Sequence, residues 1–96
     1  MTSESVFRFR LYVAGDGQNS ARAIANLTAL CKARLAGRHH IEIVDVFGDP
    51  GRALADRIVM TPTLMRLEPA PVRRMIGTLH SSDDVATALG LASSEP

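Results

Sequence analysis

The chain has 96 residues, of which 46% are hydrophobic and 22% charged, a balance typical of one globular domain rather than of a disordered chain. It contains no run of about eighteen consecutive apolar residues, so the sequence excludes a membrane-spanning helix. The formal net charge is only +1 and aromatic residues make up 4%, so neither a basic stripe nor a base-stacking surface for nucleic acid is expected.

The single cysteine, Cys31, excludes an internal disulfide and a CxxC motif. A lone cysteine is typical of a reducing compartment. The polar segment Met1–Ser5 lacks the apolar core of a secretory signal. We therefore expect a cytoplasmic protein whose folded domain spans residues 6–92, with flexible ends at 1–5 and 93–96.

The first half of the chain predicts a strand, a helix and a second strand. Apolar and polar residues alternate across Val6–Ala14, the two-residue period of a strand covered on one face. Ser20–Ala36 carries an apolar stripe at helical spacing, and Asn19 and Ser20 can cap its start. Ile41–Phe47 is rich in β-branched residues and predicts the second strand. A strand, a helix and a strand in this order indicate a right-handed βαβ unit with parallel strands.

The second half of the chain begins with a short predicted helix. Asp49 and Pro50 supply a cap and a first-turn proline, and the helix is expected to run to about Ile58, with Leu54 and Ile58 facing the core.

Two strands and a closing helix are predicted to follow. Thr63–Leu67 and Val72–Gly77 predict strands of an antiparallel hairpin around the proline-rich turn Glu68–Pro71. Ser81–Asp84 begins a final helix, with acidic residues in its first turn and an apolar stripe that reaches Ala92. The order β-α-β-α-β-β-α is the thioredoxin-like topology, an α/β sheet in one domain.

The chain lacks the signatures of common enzymes. A thioredoxin active site requires a reactive cysteine just after the first strand, where this chain has Gly15–Ser20, and Cys31 lies on the apolar helix stripe. His39 and His40 are adjacent and would point to opposite faces of a strand, so we interpret them as a pair of loop histidines rather than metal ligands. We expect no catalytic residue, no metal and no cofactor.

Two features are candidates for function. Thr61-Pro62 opens the third strand, where thioredoxin-like folds place a cis proline, and an ordinary trans proline is the alternative. Four arginines cluster around the third and fourth strands, and they form either a solvated face or a docking surface for an acidic partner. These arginines are Arg57, Arg66, Arg73 and Arg74.

Four motifs in order resemble the KaiB family of circadian clock proteins. They are Leu11–Gly15 with Asn19–Ala23, Val44–Val46 with Asp49-Pro50, Thr61–Leu64, and Pro69–Gly77. The resemblance runs from about Phe9 to Leu91, most of the chain.

The resemblance implies a non-enzymatic protein that binds the N-terminal ATPase ring of a KaiC-like protein. It also implies KaiA or a clock histidine kinase as further partners, and self-association as a dimer or tetramer. KaiB proteins adopt two folds, so a βαββααβ arrangement with a rearranged C-terminal half is the alternative to the thioredoxin-like fold. Pro62, Pro69 and Pro71 are the candidate fold-switch or cis prolines.

The resemblance also implies a set of residues that face the KaiC-like protein. Arg57 and Arg66 match basic positions of the family, and Glu42 stands where a lysine is common, so that contact would change sign. Differences at Asp16–Gln18 and at Glu68 leave a related timing or stress system outside cyanobacteria as an equal interpretation. The remaining alternative is a thioredoxin-like stress adaptor, or a redox or glutathione-binding protein, without a KaiC partner.

Overall fold

A sheet of four strands in the order β2-β1-β3-β4 organises the protein. The computed structural model describes residues 6–91; the expected flexible ends at 1–5 and 93–96, and Ala92 on the last helix, lie outside the described residues. The elements are β1 (Phe7–Val13), α1 (Gln18–Arg34), β2 (His39–Asp45), α2 (Pro50–Ala55), β3 (Thr63–Glu68), β4 (Arg73–Ile76) and α3 (Ser82–Leu89).

The sheet is parallel in one half and antiparallel in the other. Strand β1 pairs with β2 in parallel and with β3 in the antiparallel sense, and β4 pairs with β3 in the antiparallel sense. The parallel pair requires a crossover connection, which α1 provides. The predicted thioredoxin-like order is therefore confirmed: the four elements after β2 are helix, strand, strand and helix, whereas the alternative KaiB arrangement would have strand, helix, helix and strand.

The strand period of two residues divides the core into two layers. Phe9, Leu11 and Leu64 belong to the larger layer, which α1 and α3 cover. Tyr12 and Met65 point to the other face, where the buried side chains also include Val44 of β2 and Ala53 of α2. A helix of six residues covers little of that second face, so polar side chains complete it.

Helix α2 and the histidine pair differ from the sequence-based expectation. The helix ends at Ala55 rather than near Ile58, and Leu54 is 79% exposed whereas Ala53 is buried. A helix this short turns only one narrow side to the sheet, and the small residue allows the close approach. His39 and His40 open β2 instead of lying in a loop.

Candidate docking surface

The turn that ends α2 holds Arg57 in an unusual backbone conformation. The Arg57 N–H donates to the Leu54 carbonyl (3.0 Å) and the Ile58 N–H donates to the Ala53 carbonyl (2.9 Å). These two bonds define a Schellman motif, whose penultimate position is left-handed and is usually glycine. Arg57 occupies it with φ +56°, which costs an L-residue about 1–2 kcal/mol. The turn therefore presents an exposed arginine where glycine would be more stable.

A hydrogen-bonded network ties α2 to the sheet. The Tyr12 hydroxyl donates to Asp56 Oδ2 (2.5 Å) and lies 3.1 Å from the Arg52 carbonyl oxygen. Arg10 Nη1 donates to the same Asp56 oxygen at 3.0 Å. The Tyr12 hydrogen bond, followed by the one from Arg10, lowers the pKa of Asp56, and burial raises the pKa of Tyr12 to about 12. The network positions the residue that immediately precedes Arg57.

Glu42 adds an ion-paired branch to this network. Arg52 Nη1 lies 2.6 Å from Glu42 Oε2 and Arg10 Nε lies 2.9 Å from Glu42 Oε1. These hydrogen bonds, the one from Arg52 first, lower the pKa of Glu42 to about 2. The acidic residue at this position therefore joins β2 to α2.

Exposed apolar side chains follow the turn that holds Arg57 and also lie on β4. Val59 and Met60 follow the turn and are 86% and 58% exposed, and Ile76 of β4 is 55% exposed. Arg74 Nη2 donates to the Asp56 carbonyl oxygen, which brings β4 to the end of α2. We call this patch the α2–β4 surface: Arg57, Val59, Met60, Arg74 and Ile76.

The four candidate arginines do not form one cluster. Arg74 pairs with Met65 in register and lies on the α2 face of the sheet, beside Arg57. Arg73 is the next residue, so its side chain lies on the other face, where Nη1 is 3.4 Å from the Ala88 carbonyl oxygen of α3. Arg57, Arg73 and Arg74 are exposed. Alternation along β4 thus divides the predicted cluster between the two faces of the sheet.

The position of Arg66 corrects the expectation of an exposed docking residue. Its side chain is buried at 4% exposure, and Nη1 and Nη2 donate to the carbonyl oxygens of Leu89 (2.6 Å) and Pro71 (2.7 Å). Burial, and next the charge of Arg73, lower the pKa of Arg66. Arg66 therefore stabilises the end of α3 and is not part of the surface.

The region that would carry thioredoxin chemistry holds no cysteine. Gly15–Ser20 leads into α1, and the residues 17–20 line a shallow polar groove with Thr61 and Pro62. Cys31 lies in the core, and burial raises the pKa of its thiol to about 11. A buried thiol of this kind is a poor nucleophile. The peptide bonds that precede Pro62, Pro69 and Pro71 are all cis.

The carboxylate of Asp45 joins the end of β2 to the neighbouring loops. Asp45 ends β2, and its Oδ1 accepts hydrogen bonds from the backbone N–H groups of Phe47 (2.9 Å) and Gly15 (3.1 Å). These bonds, Phe47 first, lower the pKa of Asp45. Among residues 6–91, no group of three potential metal ligands comes together, and no helix is long and apolar enough to cross a membrane.

Sequence reasoning missed the apolar part of the surface and the network behind it. Val59 and Met60 stand between α2 and β3 without belonging to either predicted element, which is the signal that could have identified them. Nothing in the sequence pattern indicates that Asp56 meets Arg10 and Tyr12, because those two residues lie on β1 whereas Asp56 follows α2, more than forty residues later.

The fold and the site define a thioredoxin-like α/β protein that lacks the redox cysteines and exposes a basic, partly apolar surface. The KaiB domain model matches residues 10–91, and the chain belongs to the KaiB family.

Curated relatives agree with this assignment. The chain is 37% identical over 82 residues to the circadian clock protein KaiB3 of Synechocystis sp., a match that covers 85% of this chain and 80% of the relative. It is 36% identical over 91 residues to the circadian clock oscillator protein KaiB of Synechococcus elongatus, covering 95% of this chain and 89% of the relative.

Solved structures agree with the fold. The N-terminal domain of Synechococcus elongatus SasA superposes with a TM-score of 0.74 at 19% identity, covering 93% of this chain and 84% of that one. Mitochondrial thioredoxin 3 of Saccharomyces cerevisiae superposes with a TM-score of 0.70 at 15% identity, covering 91% of this chain and 79% of that one. At these identities the similarity establishes the fold alone.

Proposed function

We propose that this chain is a non-enzymatic regulator that docks on the N-terminal ATPase ring of a KaiC-like protein, in a circadian clock or a related timing or stress system. The observation that carries the proposal is Arg57, whose exposed side chain is held in a left-handed turn at an energetic cost. Strained residues of this kind concentrate at functional sites. Membership of the KaiB family supports a KaiC-like protein as the partner.

The chemistry of the α2–β4 surface supports a protein partner that carries acidic groups. Arg57 and Arg74 form no ion pair with any carboxylate in the described part of the chain. Val59, Met60 and Ile76 provide the apolar area that stable interfaces use beside their arginine contacts. KaiA and a clock histidine kinase are further candidate partners, and self-association as a dimer or tetramer belongs to the same proposal.

The test is the affinity of the chain for the KaiC-like protein of the same organism, measured at two salt concentrations. Arg57→Glu and Arg74→Glu should each weaken binding by about tenfold or more, with the larger loss at low salt, because charge pairs steer association. Arg22→Glu on α1 is the matched control, since it makes the same charge change on the face of the sheet that α1 and α3 cover.

The three variants distinguish a specific surface from a general charge effect. Equal losses in all three would attribute binding to net charge alone. Unchanged affinity of both Arg57→Glu and Arg74→Glu at low salt would contradict the proposed surface. No binding by the unaltered chain would contradict the proposed partner.

A further inference from the structure

Strand β4 is an edge strand whose outward backbone groups can be identified. The Gly77 N–H donates to the Pro62 carbonyl oxygen (3.0 Å), and these residues are directly opposite when the register of β3 and β4 is extended by one step. Hydrogen-bonded and non-hydrogen-bonded pairs alternate along antiparallel strands. The N–H and C=O groups of Met75 therefore face β3, and those of Arg74 and Ile76 point away from the sheet.

The side chains along this edge carry positive charge on both faces. Arg74 lies on the α2 face and Arg73 on the α3 face, and both are exposed. Arg66 of β3 lies opposite Arg73 in the register, but its guanidinium is buried and is not part of the edge. In residues 6–91 no carboxylate forms an ion pair with any of these three.

Exposed apolar residues lie on both sides of Arg73 and Arg74 along the strand. Val72, just before the strand, is 53% exposed, and Ile76, at its end, is 55% exposed. A second copy of this strand, paired in parallel register or antiparallel about Arg74, would place arginine opposite arginine, which destabilises strand pairing. The edge therefore disfavours pairing with a second copy of β4, and it complements a strand that carries acidic and apolar residues.

We propose that the β4 edge accepts an extended acidic segment of the docking partner as a fifth strand, an inference that rests on the proposed function. Added strands gain affinity from main-chain hydrogen bonds and specificity from alternating side chains. Two consecutive acidic residues of the incoming strand would point to opposite faces and meet Arg73 and Arg74. In the antiparallel orientation, the partner would carry the pattern apolar, any residue, acidic, acidic, apolar, with its apolar residues opposite Ile76 and Val72.

The direct test uses a short fluorescent peptide that contains Ile-Thr-Glu-Asp-Val between serines, with Ile-Thr-Lys-Lys-Val as its control. The acidic peptide should bind, and it should slow amide hydrogen exchange at Arg74 and Ile76 because both N–H groups become donors to the added strand. Binding without protection of these two amides would overturn strand addition, and so would equal binding of the two peptides.

A proline at position 76 tests the backbone contribution. Ile76→Pro removes an N–H that points away from β3, so the β3–β4 pairing loses no donor, and Ile76→Val keeps the N–H with a similar side chain. We expect about tenfold weaker peptide binding for Ile76→Pro and a change of about twofold or less for Ile76→Val. Equal affinities would overturn the proposal.

Charge exchange provides a second measurement that does not depend on how Ile76→Pro folds. The double variant Arg73→Glu and Arg74→Glu should prefer the lysine peptide to the acidic one. Failure to reverse the preference would overturn the pairing of the acidic residues with these arginines.

The same Ile76 variants, measured against the KaiC-like ring, separate this inference from the proposed function. Ring binding that falls about tenfold in Ile76→Pro and about twofold or less in Ile76→Val supports both. Equal ring binding by the two variants overturns strand addition and leaves docking in place. If the unaltered chain binds the peptide but not the ring, the result contradicts the proposed partner and supports the edge site.

Discussion

Replacing Arg57 by glycine should stabilise the fold and weaken docking at the same time. The left-handed φ of +56° costs arginine about 1–2 kcal/mol, which glycine avoids. Glycine loses about 0.5–1 kcal/mol through its larger entropy in the unfolded chain. The net gain is about 0.5–1 kcal/mol, or a rise in Tm of about 2–8 °C for a domain of this size. Binding to the KaiC-like ring should fall, because the guanidinium is lost.

Arg57→Ala is the control that separates strain from charge. It removes the same guanidinium but keeps a Cβ in the left-handed turn, so it should bind as weakly as Arg57→Gly without the gain in Tm. Thermal unfolding and ring binding of both variants complete the assay. A glycine variant no more stable than the alanine variant would refute the strain argument, and undiminished binding by either would refute the role of Arg57 in docking.

Three further predictions concern the core and the network below α2. Cys31→Ala should cost about 1 kcal/mol in urea unfolding through lost packing and leave ring binding unchanged, whereas a folded variant without binding would restore a role for the thiol. Tyr12→Phe should cost about 1–2 kcal/mol because Asp56 loses its buried donor, and a cost below 0.5 kcal/mol would show that the hydroxyl is unimportant. Glu42→Gln should cost about 1 kcal/mol or less at pH 7, since the carboxylate is 45% exposed. Because the folded pKa is about 2 and the ordinary value is 4.5, this contribution is present above pH 4.5 and disappears towards pH 2, where the urea midpoints of Glu42→Gln and the unaltered chain should converge.

The order of the elements could be predicted from the sequence because each one carries its own local signal. Alternation marks β1, the helical stripe marks α1, and Asp49-Pro50 marks the start of α2. The burial of individual residues on α2 could not be predicted in the same way. In a helix of six residues, the hydrophobicity of Leu54 does not show which side faces the sheet. The small Ala53 is buried there and Leu54 is exposed.

The candidate site was predicted less well because it depends on contacts between distant elements. The arginines were identified by residue type alone, and strand alternation separates neighbours such as Arg73 and Arg74. The left-handed turn at Arg57 carries no signal, because its sequence lacks the glycine that usually marks such a turn. Arg66 did carry a signal: it shares its strand face with Leu64, which lies in the core.

Because Arg66 is buried, a charge reversal at this position should affect stability rather than docking. Sequence reasoning predicts that Arg66→Glu weakens docking with little effect on folding. In the structure, the guanidinium donates to the Leu89 and Pro71 carbonyl oxygens, so a carboxylate there would face two acceptors without a donor and would remove a cation from the C-terminal end of α3. Breaking a buried charged contact of this kind costs about 3–5 kcal/mol, a large share of the stability of a small domain.

Arg73→Glu is the matched control for this last prediction, because its exposed side chain lies opposite Arg66 in the register. An exposed substitution usually changes stability by about 0.5 kcal/mol or less. We therefore expect urea unfolding at pH 7 to show a large loss for Arg66→Glu and almost none for Arg73→Glu, with faster amide exchange along α3 in the first variant alone. An Arg66→Glu variant within about 1 kcal/mol of the unaltered chain would show that the guanidinium does not hold α3 to the sheet, since a carboxylate cannot replace either of its two hydrogen bonds.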